Sequence, residues 1–128
     1  MTTDRQRITS GSPYEPQIGF VRALRVGSRV EVSGTAPIWP DGSCPDDPEE
    51  QARRALEIIL TALAEAGAGP QDVVRTRMYL IDPADWQAVG RAHAEVFAAH
   101  PPAATMVVVA SLVDPRWRVE IEAEAQLP

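Results

Sequence analysis

Cysteine is almost absent from this chain of 128 residues. The one thiol, Cys44, lies in a stretch rich in proline, glycine and aspartate. A single cysteine excludes an internal disulfide framework, and its setting favours an inert thiol over a nucleophile. Histidine is nearly as scarce. His93 and His100 stand seven apart, without an acid at metal-binding spacing and without a cysteine partner, so no metal site is expected. The sequence has no G-x-G-x-x-G or Walker pattern and no G-x-S-x-G elbow, so phosphate-loop and serine-elbow chemistry are not expected. Basic runs are also missing. The twelve Lys+Arg are scattered, the closest pairs being Arg53–Arg54 and Arg75/Arg77, and the net charge is −6. Such a surface repels phosphate backbones and anionic bilayers, so neither nucleic acid nor a membrane is an expected partner. No apolar run nears the roughly 20 residues of a membrane span, and Met1–Ser12 lacks an apolar signal core. A cytoplasmic protein is the expectation.

What is present is ordinary for a globular chain: 45% hydrophobic and 23% charged residues. One domain over residues 1–128 is expected, with residues 1–16 as a flexible lead-in. A strand pattern near 19–26 meets the turn Gly27-Ser28, and Arg29–Ser33 alternates strictly, together a hairpin. After a proline-rich loop, Asp47-Pro48-Glu49-Glu50 reads as a helix start, with Asp47 as cap and Pro48 in the first turn. Apolar residues then recur at helical spacing from Ala52 to Ala66, until Gly67 and Gly69-Pro70 stop the pattern. Residues 73–81 read as a strand, with Val74, Thr76, Met78 and Leu80 on one face and Val73, Arg75, Arg77 and Tyr79 on the other. A second helix follows Asp82-Pro83, with Trp86, Val89, Ala92 or His93, and Val96–Phe97 facing inward. His100-Pro101-Pro102 ends it. Two further strands fall near 104–111 and 118–125.

The order β-β-α-β-α-β-β predicts an α+β fold, one mixed sheet with two helices on one face. The other face then carries Glu31, Arg75, Arg77, Glu120, Glu122 and Glu124 beside Val107 and Val109. An open face of this mixed kind on a small domain points to an oligomer interface. The glutamates of the last strand are the best acid/base candidates. Ion pairs with Arg75 or Arg77 account for Glu122 and Glu124, whereas for Glu120 both readings stand.

Several segments, in order, are similar to the Rid (reactive-intermediate deaminase, YjgF-type) family. They are Arg25-Val26-Gly27, Val32-Ser33-Gly34-Thr35, Gln51-Ala52, Val73 through Asp82, Pro102-Ala103 and Val119-Glu120-Ile121-Glu122-Ala123. The resemblance runs from about residue 13 to 126. It implies a chorismate-mutase-like fold and a homotrimer with a central barrel, and three inter-subunit clefts that each take a small-molecule ligand. It also implies hydrolysis of reactive enamines and imines, such as 2-aminoacrylate, to 2-oxo acids and ammonia, with no cofactor. Glu120 matches the carboxylate that orients the attacking water, and Ser33 and Gly34 match pocket positions.

Other pocket positions depart from the family pattern. The family's substrate-clamping arginine falls on Ala104, a tyrosine on Phe20, an asparagine on Gly90 and a cysteine on Met106. Alanine offers no donor, whereas a guanidinium makes two parallel bonds to a carboxylate. The departures imply a more apolar pocket and an altered substrate choice. Arg77 is a candidate replacement clamp, in competition with a structural pair to Glu122 or Glu120. Three readings follow: a Rid-like hydrolase of other enamines or imines, a non-catalytic binder of a small metabolite or biosynthetic accessory, and a different enzyme on the same fold.

Overall fold

The computed structural model describes residues 5–128. Its strands are β1 (Arg5–Ile8), β2 (Ala23–Val26), β3 (Arg29–Thr35), β4 (Val73–Leu80), β5 (Ala103–Val108) and β6 (Val119–Gln126). The helices are α1 (Tyr14–Ile18), α2 (Pro48–Glu65) and α3 (Trp86–Phe97). The six strands form one sheet in the order β1-β2-β3-β6-β4-β5. Only β4 and β5 run parallel, because α3 carries the chain back between them.

The α+β sheet with helices on one face is as the sequence predicts, with a third, short helix added. Helix α2 begins where Asp47 accepts from the Glu49 and Glu50 amides through its side chain. It ends before Gly67, which takes a positive φ. Its buried stripe of Ala52, Ala55, Leu56, Ile59, Ala62 and Leu63 packs on the inner face of the sheet. Helix α3 adds Val89, Ala92 and Phe97. The sheet answers with Val30, Val32, Met78, Leu80, Val119, Ile121, Ala123 and Ala125. No helix among the described residues is long and apolar enough to cross a membrane.

Three expectations need correction. Residues 5–16 are not a loose lead-in: β1 pairs with β2, Ile8 enters the core, and Glu15 is buried. Residues 1–4 of that segment lie outside the described part. On β4, Val73 is buried and Val74 exposed, the reverse of the predicted faces. A register shift between Val73 and Arg75 opposite β6 is the reason, since one extra residue flips the alternation. Trp86, expected inside, is 58% exposed, because the chain enters α3 through a 3-10 turn at Pro83–Asp85.

Strand β6 runs through the middle of the sheet, and its start is held by two side chains from the helical layer. Gln51 of α2, fully buried, accepts from the Arg118 amide at 2.7 Å and donates to the carbonyls of Pro45 (2.8 Å) and Arg116 (3.0 Å). Asp85 takes the Arg118 guanidinium through two bonds of 3.0 Å. Truncating Gln51 strands buried backbone groups, each worth about 1–3 kcal/mol. Gln51→Ala is therefore expected to lose about 3 kcal/mol in urea unfolding, and Gln51→Glu to recover little of it.

Candidate functional site

Glu120 is the second residue of β6. Alternation turns Val119 and Ile121 into the core and leaves Glu120, Glu122 and Glu124 half-buried on the open face. The three carboxylates then differ. Glu124 accepts from Arg77 at 3.1 Å, and Glu122 stands 3.7 Å from the same guanidinium and accepts from the Tyr79 hydroxyl. Glu120 makes no hydrogen bond or ion pair among the described residues. Burial pushes its carboxyl above the usual glutamate range; the nearby Arg22 charge pulls the other way, and Glu122 adds a smaller upward push.

The Glu120 carboxylate lies directly over Gly34. A Cβ at position 34 would overlap its Oε2. The approach is set by a bulge: β3 and β6 shift register between Val32 and Thr35, so Ser33 and Gly34 together face one residue of β6. Ser33 brackets the facing segment. Its amide donates to the Arg22 carbonyl at 2.9 Å and its hydroxyl to the Val21 carbonyl at 2.7 Å. Ser33 is thus tied into the backbone and does not line the cleft.

Arg22 is the neighbour that sequence reasoning missed. It and Glu15 are each 4% exposed and pair at 3.3 Å. The guanidinium also donates to the Gly34 carbonyl (2.7 Å), Thr35 Oγ1 (3.2 Å) and, at 3.4 Å, Ser10 Oγ. It lies over the Phe20 ring, 5.3 Å from the centroid. An arginine inside the otherwise apolar run Val21–Leu24 is the signal in the sequence that could have found it.

Around these groups is a cleft of about 120 Å³. Its polar lining is Glu120, Arg22 and Ser12 beside the Gly34 backbone. Tyr14, Phe20 and Trp117 supply aromatic walls, with Tyr14 edge-on to Trp117 at 5.6 Å. Ile18 and Val113 stand at its mouth, 68% and 72% exposed. Neither Trp117 nor Val113 was marked by any sequence pattern, since both come from the loop before β6.

The other expected site residues are not part of this cleft. Ala104 and Met106 lie on β5, in register with Thr76 and Met78, and Gly90 lies on α3 with open space where a side chain would be. His93, on the same helix, bonds Thr76 Oγ1 at 2.8 Å and packs on Phe97, a structural role; burial holds its pKa below the ordinary histidine value. Arg77 is held by Glu124 and Glu122, with no contact to Glu120. Arg75 donates to Thr105 rather than to a glutamate. Burial pushes the Cys44 thiol up, which lowers its thiolate fraction.

The endoribonuclease L-PSP family model matches residues 11–127. The chain belongs to the reactive-intermediate deaminase (YjgF-type, L-PSP) family. It is 42% identical over 121 residues to an uncharacterized protein of Streptomyces coelicolor, covering 94% of this chain and 90% of that one. The 2-iminobutanoate/2-iminopropanoate deaminase of Salmonella typhimurium is 33% identical over 110 residues, 83% of this chain and 85% of that one. A crystal structure of a YjgF/YER057c/UK114 family member from Mycobacterium tuberculosis superposes with a TM-score of 0.89 at 42% identity, over 97% of this chain and all of that one. Family membership and α+β fold thus agree with the sequence reading.

Two outcomes test the Glu120–Gly34 contact. Gly34 has no positive φ, so a methyl group there strains only the contact with Glu120. Gly34→Ala should keep stability within about 1 kcal/mol of the parent. Any turnover that uses Glu120 should fall about 10²-fold or more. The pH test follows from the sign of the Glu120 shift. A carboxyl with a raised folded pKa makes folding less favourable when ionised, and that penalty fades as pH falls through the folded pKa toward the unfolded value near about 4.3. Glu120→Gln should therefore raise the melting temperature at pH 7 and lose that advantage near pH 4.

Proposed function

We propose that this protein hydrolyses reactive enamine or imine intermediates, with a substrate choice that differs from its small-amino-acid relatives. The observation that carries the reading is Glu120, a half-buried carboxylate left free in an apolar cleft while Glu122 and Glu124 are both engaged. A carboxylate so placed accepts a proton from water and directs the oxygen at an electrophilic carbon. Water adds across the C=N bond, and the carbinolamine then breaks its C–N bond. The carbonyl compound and ammonia leave, the proton taken by Glu120 goes out on nitrogen, and no electrons are exchanged. An enamine reaches the same path once its carbon is protonated. The deaminase name of the Salmonella relative supports the same chemistry.

We propose further that the chain assembles as a homotrimer, with open sheet faces turned inward. The mixed face of Arg77, Tyr79, Glu122 and Glu124, and exposed apolar Val107 and Val108 on the edge strand, support this. A second copy would then bring Gly90, Ala104 and Met106 to the mouth of the Glu120 cleft. At that edge alanine stands at position 104, and the guanidinium nearest to it, that of Arg75, donates to Thr105 of the same strand.

The test generates imines in situ with an amino-acid oxidase acting on a panel of amino acids and with an amine oxidase acting on a panel of primary amines, with semicarbazide as competing trap. Purified trimer, its mass checked by light scattering, should lower the semicarbazone yield for at least some of the panel, and Glu120→Gln should abolish the effect. Equal yields for the parent and Glu120→Gln on every member would count against the hydrolase and leave a binding or accessory role.

A further inference from the structure

The charges in the Glu120 cleft can be assigned one by one. Among the described residues, Arg22 is the only basic one that lines it. Four of its five N–H groups already have acceptors in the chain: Ser10 Oγ, the Gly34 carbonyl, Thr35 Oγ1 and Glu15. The Glu15 carboxylate, as buried as Arg22 itself, pairs with it and offsets its charge in part. Arg54 lines a different cleft and donates to the Ile38 carbonyl at 2.7 Å. Arg77 is taken by Glu124 and Glu122. Within one copy of the chain, the charged group of the cleft left without a hydrogen-bond or ion-pair partner among the described residues is Glu120, a carboxylate.

An anion entering here meets no free donor fork and a like charge at the floor. Placing two carboxylates together in a half-buried site disfavours one of them strongly. A cation or neutral group meets the opposite situation. Aromatic walls from Tyr14, Phe20 and Trp117 and aliphatic rims from Ile18 and Val113 suit a flat or branched apolar substituent. A cleft of about 120 Å³ takes about one small aromatic ring, with any stem lying toward the open mouth.

We infer that the substrate of this cleft is an imine that bears no carboxylate: a protonated or neutral C=N compound with an aryl or branched alkyl group, of the class formed by oxidation of a primary amine rather than of an amino acid. The inference rests on the proposed hydrolase reading and narrows it. Glu120 then has two uses: it attracts the iminium and it receives the proton of the attacking water. Hydrolysis of R–CH=NH with one water yields R–CHO and ammonia, with no redox partner.

The test compares two N-methyl imines that differ by one carboxylate, those of benzaldehyde and of phenylglyoxylate, followed by stopped-flow ultraviolet absorbance with the intact protein. The benzaldehyde imine should be hydrolysed with a kcat/KM at least tenfold greater, and Glu120→Gln should remove that acceleration. Val113→Arg, at the exposed mouth, should move the preference toward the phenylglyoxylate imine. Equal or reversed preference in the parent protein overturns the inference while leaving the hydrolase intact. If neither imine is accelerated, the hydrolase reading fails for this class and binding decides the rest. A melting-temperature rise with 2-phenylethylamine but not with phenylacetate then upholds the ligand class. A rise with phenylacetate, or with neither, overturns it.

Discussion

A guanidinium removed from water must find its partners inside the protein, and Arg22 collects four of them from three parts of the chain. Glu15 comes from α1, Ser10 from the loop after β1, and Gly34 and Thr35 from the bulged end of β3. Breaking such a pair on one side leaves a buried charge, at a cost of about 3–5 kcal/mol. This constraint explains why residues 10–15 are fixed rather than loose, and why the carbonyl of Gly34 turns toward Arg22. The Arg22 network is thus the frame on which the cleft is built.

Glu120 is set against that frame from the other side. Its strand is central, its start is clamped by Gln51 and Asp85, and its alternation is enforced by the buried valine and isoleucine on either side. Precision in its placement follows from rigid elements meeting at a bulge rather than from a hydrogen bond to the carboxylate. A bond of that kind would occupy the lone pairs that the proposed hydrolysis leaves to water. Glu122 and Glu124 illustrate the alternative, since their lone pairs are spent on Tyr79 and Arg77.

The elements that the sequence made legible are those governed by local rules. The cap at Asp47, the stop at Gly67 and the alternation of residues 119–125 each depend on neighbours a few positions away, and each was recovered. Misreadings arose where distant contacts overrode local preference. Val73 and Val74 exchanged faces because of a bulge against β6, and Trp86 turned outward because a tight turn set the phase of α3. Residues 5–16 carry no periodicity, yet strand pairing with β2 and the Arg22 charge give them structure.

The candidate site divides in the same way. Glu120 and Gly34 could be named from the sequence because short motifs around them match a known family, and alanine at position 104 could be read directly. The contact between Glu120 and Gly34, the buried Glu15–Arg22 pair and the aromatic wall of Tyr14 and Trp117 join residues up to a hundred positions apart. No periodicity in a sequence encodes such distances. By itself the sequence determined the class of fold and the family, and singled out one candidate carboxylate, because these follow from local patterns and residue types. Tertiary structure decided which charges remain free in the cleft, because a charge is cancelled only by the partner that folding brings within hydrogen-bonding reach.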